Sequence, residues 1–79
     1  MTRTEILEKA TEIFRDVFDD DSIVLTEETT AADIEDWDSL MHITLINEIE
    51  EAFGYKFGMK EVLGMKNVGE MCDILEKNT

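Results

Sequence analysis

The sequence predicts an all-α fold: a small bundle of three longer helices plus one short helix, with a long loop between helices one and two. Three observations predict it. Apolar residues recur at helical spacing in three separate stretches. Each stretch opens at or just after a residue suited to capping, namely Thr2, Asp38 and Asn67. The one compact aliphatic run outside them, Ile23-Val24-Leu25, is too brief to be a convincing strand. With 79 residues the chain suits one domain, 1–79, and its 43% apolar content is enough for a folded core rather than disorder. No internal repeat or low-complexity tract interrupts it.

The first helix is expected over Thr2 to Phe18. Ile6, Leu7, Ala10, Ile13, Phe14, Val17 and Phe18 fall on one face, and Thr2 with Glu5 forms a capping-box pattern. Asp19-Asp20-Asp21 ends it, because acids are unfavourable at the negative end of the helix dipole. Residues 19 to 38 form a long connection rich in Thr, with Ile34 and Trp37 expected to pin it to the helices. The second helix is expected over Asp38 to Phe53, with Asp38 as N-cap and Gly54 as stop. On its wheel Ile43, Leu45, Ile46, Ile49, Ala52 and Phe53 share the core arc, while Leu40 and Met41 point outward beside Ser39. Gly58 to Gly64 holds the short helix, carrying Met59, Val62 and Leu63. Asn67 caps a last helix running to about Lys77, with Glu70 at the third position and Val68, Met71, Cys72, Ile74 and Leu75 inside.

Bulk charge narrows the functional classes. Twenty acidic against seven basic residues give a net charge of -13, which repels nucleic acid and suits partners with basic docking patches. The single cysteine, Cys72, cannot form an internal disulfide, so a reducing, cytoplasmic setting is expected. The N-terminus shows no basic-then-apolar signal pattern, and no apolar run reaches transmembrane length, so membrane insertion is not expected. The chain is expected to be monomeric.

Trp37-Asp38-Ser39-Leu40 carries the most specific signal. Asp-Ser-Leu at the start of an amphipathic helix resembles the prosthetic-group site of the acyl and peptidyl carrier proteins. The next stretch, Met41 to Phe53, is similar to that family's second helix, with its acidic end and closing Phe. The resemblance extends over nearly the whole chain in length, acidity, helix order and long first loop. It implies a non-catalytic carrier of acyl or aminoacyl groups. Ser39 would bear 4'-phosphopantetheine, installed from coenzyme A by a phosphopantetheinyl transferase that uses magnesium, and Asp38 would assist that modification besides capping the helix. It further implies an acyl-loading ligase or acyltransferase and downstream biosynthetic enzymes as partners. Leu40, Met41, Thr44, Asn47, Glu48 and Glu51 are the candidate docking residues. The residues support the same site independently: a serine at a helix start presents its hydroxyl to solvent, next to unpaired N–H groups and the positive dipole end.

The sequence also departs from the family pattern. Thr44 and Asn47 stand where many fatty-acid-synthesis carriers place an acid and a large apolar residue. Lys60 and Lys66 lie in a region that is often acidic, and Trp37 precedes Asp38 where a glycine is usual nearby. These differences point away from primary fatty acid synthesis and toward a dedicated pathway, such as polyketide, nonribosomal peptide or cell-surface glycan acylation.

Other chemistry is weaker. His42 follows Ser39 by three residues, but no third orienting group accompanies the pair, so a core or boundary histidine is expected. Cys72 lies on an apolar face and reads as a buried structural thiol. Neither Asp19-Asp20-Asp21 nor Asp33, Glu35 and Asp36 fits an EF-hand loop, and no metal site is expected. The residues alone leave a second reading open: an acidic helical interaction module that never carries a prosthetic group.

Overall fold

The computed structural model describes residues 1–79. Its elements are α1 (Arg3–Phe18), a single 3-10 turn (Ala31–Asp33), α2 (Ser39–Phe53), α3 (Met59–Gly64) and α4 (Val68–Asn78), with no strand. Three longer helices and one short one are thus present, as the periodicity predicts.

Helix α1 starts at the expected capping box. The Thr2 hydroxyl accepts the Glu5 N–H at 3.2 Å, and the Glu5 carboxylate accepts the Thr2 N–H at 3.0 Å. It ends at Asp19 through backbone conformation as well as charge, since Asp19 adopts the left-handed region at φ 51°. Aspartate tolerates that region better than most residues.

The helices share one core. Ile6, Ala10, Phe14 and Phe18 from α1 meet Leu45, Ile46 and Ile49 from α2, and Val68, Met71, Cys72 and Leu75 from α4. Helix α1 is the central strut, packed closely against both α2 and α4.

The long connection is anchored at both ends. Ile23 and Leu25 are buried, and Arg15 Nε donates to the Ile23 carbonyl at 2.8 Å. Ile34 and Trp37 pack on the core as expected. The first two N–H groups of α4 find acceptors in this loop: Val68 donates to the Thr29 carbonyl and Gly69 to the Glu27 carbonyl, each at 2.8 Å. That satisfies donors a helix start otherwise leaves to water. Position 69 needs glycine for a steric reason, because a Cβ there would stand 2.7 Å from the Glu27 carbonyl oxygen. Arg3 bridges the same seam to Glu27 at 3.2 Å and to Asp73.

The face assignment of α2 needs correction at two positions. Ile43, expected inside, is 59% exposed, and Met41, expected outside, is half-buried against the core. The cause is the direction of α1. The core arc is centred between Leu45, Ile46 and Ile49, and at ~100° per residue it passes within about 20° of His42, about 80° from Met41 and about 120° from Ile43. Counting Ile43 as core displaced the arc's centre. Leu63 of α3 is likewise 78% exposed.

Candidate functional site

The site is assembled where the long connection enters α2. Trp37 fixes the end of the loop: its ring meets Phe14 edge-on at 5.2 Å and Phe18 at 6.2 Å. Asp38 is extended, and its Oδ1 accepts the Met41 N–H at 2.8 Å, so it is the N-cap. Ser39 is therefore the first helical residue. Capping is done by its neighbour, which leaves the exposed Ser39 hydroxyl free of that task. The Ser39 and Leu40 N–H groups have no acceptor one turn back and lie at the positive end of the helix dipole.

A cavity of about 460 Å³ opens beside this serine. Its lining runs from Ser39 and Trp37 past Ile46 and Val62 to Met65 and Met71, and is mainly apolar. These residues fit a phosphopantetheine arm. A phosphodiester at the Ser39 oxygen would stand beside two free N–H donors, and an apolar group on the far end has an apolar space within the same wall.

Of the candidate docking residues, Leu40 is 73% exposed, and Thr44, Asn47, Glu48 and Glu51 are exposed as well. Met41 departs from that surface because of the core direction described above. Ile43 of α2 and Leu63 and Met59 of α3 are exposed apolar side chains as well, the last 76% exposed. Ile43 and Leu63 line the cavity mouth. A wheel centred on Leu45, Ile46 and Ile49 alone would have flagged Ile43.

His42 is not aimed at Ser39. Trp37 Nε1–H donates to His42 Nδ1 at 3.1 Å, and His42 Nε2 meets the Val62 carbonyl at 3.2 Å. An indole N–H only donates, so Nδ1 accepts, and Nε2 carries the proton toward Val62. Both nitrogens are engaged, which removes a Ser–His nucleophile pair. Cys72 is fully buried, and burial pushes its thiol up to about 11, so it stays protonated and unreactive at neutral pH.

Residues 8–75 match the family model described as the phosphopantetheine attachment site. No curated protein matches the chain. Among solved structures it is similar to the holo acyl carrier protein of Geobacter metallireducens, at 52% identity and a TM-score of 0.85, over 90% of this chain and 82% of that one. Together with the helical bundle and the exposed helix-start serine, these findings establish that the chain belongs to the phosphopantetheine-attachment family, the non-catalytic carrier domains of acyl-carrier type that work through a covalent phosphopantetheine arm.

Proposed function

We propose that Ser39 is the residue that takes the 4'-phosphopantetheine, and that residues 1–79 act as one carrier domain delivering thioester-bound acyl groups to partner enzymes. The observation that carries this reading is an exposed serine at the first position of α2, capped by its neighbour Asp38 and bordering an apolar cavity. Asp38 holds the helix start in the shape the transferase must read.

The docking face comprises Leu40, Thr44, Asn47, Glu48 and Glu51, extended by Ile43 and Leu63. Its acids would meet basic patches on the transferase, on an acyl-loading ligase or acyltransferase, and on later enzymes, while its apolar side chains fill shallow pockets. Met41, half-buried against the core, offers this face only part of its side chain. Thr44, Asn47, Lys60, Lys66 and Trp37 support service in a dedicated pathway rather than primary fatty acid synthesis. A cytoplasmic setting agrees with the thiol chemistry expected of the arm. No helix is long and apolar enough to cross a membrane.

The test is incubation with coenzyme A, magnesium and a broad-specificity phosphopantetheinyl transferase, followed by intact mass. A single phosphopantetheine adduct is expected in the native chain and none in Ser39→Ala. An adduct that persists in Ser39→Ala moves the site elsewhere, and no adduct with several transferases favours the interaction-module alternative.

A further inference from the structure

Helix α3 closes one side of the cavity, yet little ties it there. Met59 and Leu63 project into solvent, and only Val62 of its aliphatic residues packs against the core. The contacts of Glu61 with the Tyr55 hydroxyl at 2.9 Å and the Gly58 N–H at 2.8 Å brace the start of α3 against its own approach segment, not against α2. The hydrogen bond that joins α3 directly to α2 is the one from His42 Nε2–H to the Val62 carbonyl, at 3.2 Å. That carbonyl lies in the last turn of a six-residue helix, where no helical N–H follows to claim it.

His42 is itself held from behind. The Trp37 indole donates to Nδ1 at 3.1 Å and stacks on the imidazole at 23° with centroids 5.8 Å apart. Trp37 in turn rests on Phe14 and Phe18 of α1. A continuous chain of contacts thus runs from the α1 core through the loop and α2 to the far wall of the cavity, and Trp37, His42 and Val62 all line that cavity.

We propose that Trp37, His42 and the Val62 carbonyl form a latch that holds α3 over the cavity beside Ser39. In it His42 is a positioning residue that controls how well the arm's cargo is covered. The indole fixes the tautomer, the tautomer puts the only available proton on Nε2, and that proton fixes α3. The effect on cargo rests on the carrier reading above; the latch itself does not, and the apo protein tests it separately.

The first measurement is amide hydrogen exchange of residues 59–66 in the apo protein, with imidazole nitrogen shifts of His42. The Nε2–H tautomer is expected, and the Nδ1–H tautomer overturns the latch without any mutation. His42→Leu should speed exchange in α3 about fivefold, the factor one neutral hydrogen bond carries, with α1 and α4 unchanged. His42→Gln keeps a donor for Val62 and should restore most of the protection. Trp37→Phe keeps the ring but loses the indole donor, and should give a mixture of tautomers. Exchange that is unchanged in α3, or that rises equally in every helix, refutes the proposal. The second measurement loads octanoyl-phosphopantetheine and follows thioester cleavage by hydroxylamine. Cleavage about fivefold faster in His42→Leu supports control of cargo cover, and equal rates overturn it. Failure of the native chain to accept the arm would refute the carrier reading and leave the exchange result standing.

Discussion

Across α1 and α4, Ile6, Phe14, Val68, Cys72 and Leu75 are almost wholly removed from water; α2 buries Leu45 and Ile49 as completely, yet its other face and α3 leave Leu40, Ile43, Met59 and Leu63 59–78% exposed. Isoleucine and leucine occur in both sets, so residue type alone does not separate them. What differs is how each is tied. The α1–α4 seam carries Arg3 bridging Glu27 and Asp73, two loop carbonyls receiving the first N–H groups of α4, and a glycine that permits the close approach. The α2–α3 seam carries one imidazole hydrogen bond above a cavity of about 460 Å³. Local opening free energies follow such differences in burial and bonding, so the α1–α4 seam serves as a foundation and the α2–α3 seam as an adaptable mouth.

The largest expected effect contrasts two leucines. Leu75→Ala empties a fully buried site and should cost about 2–5 kcal/mol in urea denaturation of the apo protein. Leu63→Ala removes a side chain that is mostly in water and should stay within about 0.5 kcal/mol. Comparable losses at both positions would erase the distinction between the seams.

Two glycines sharpen the contrast at lower cost. Gly69→Ala drives a methyl group against the Glu27 carbonyl oxygen, 2.7 Å away, and should destabilise by about 1–3 kcal/mol despite the better helix propensity of alanine. Gly64→Ala in α3 meets nothing within 4 Å, so it should stabilise by about 0.4–1 kcal/mol through the unfolded chain. Thermal midpoints moving in opposite directions would bear this out. A shift of the same sign at both positions would show that the loop yields at Gly69 or that α3 is strained at Gly64.

The foundation was legible in the sequence and the mouth was only partly so. Thr2, Asp38 and Asn67 announce three helix starts because capping is a local interaction, complete within four residues. The site serine was legible for the same reason, since its exposure follows from its place after a capping Asp38. Ile43 and Met41 depart from the expected faces because the facing of α2 is set by α1, and the apolar pattern alone does not say that Leu45, Ile46 and Ile49 are the residues to centre the wheel on. The 3-10 turn at Ala31–Asp33 also escaped the pattern; it depends on the Asp33 carboxylate accepting from the Thr30 N–H at 2.9 Å and hydroxyl at 3.1 Å. The Trp37–His42–Val62 chain spans twenty-odd residues of sequence, so only the folded geometry shows it.

The smallest expected effect concerns the approach to α3. The Tyr55 hydroxyl donates to Glu61, which favours the neutral phenol and raises its pKa from the ordinary 10.0. A proton held more tightly in the native state than in the unfolded chain adds stability that is complete below the ordinary phenol value. It is lost as pH rises through the raised one. Cys72, pushed up to about 11 by burial in the core, loses its contribution in an overlapping alkaline window, so native stability should fall there for two reasons. Tyr55→Phe removes one of them and leaves the other. Urea denaturation of both proteins from about pH 8 upward should give curves that are separated at first and draw together as pH rises past the ordinary phenol value. Curves that stay parallel throughout would mean that Glu61 does not engage the phenol, and that the start of α3 is braced by the Gly58 N–H alone.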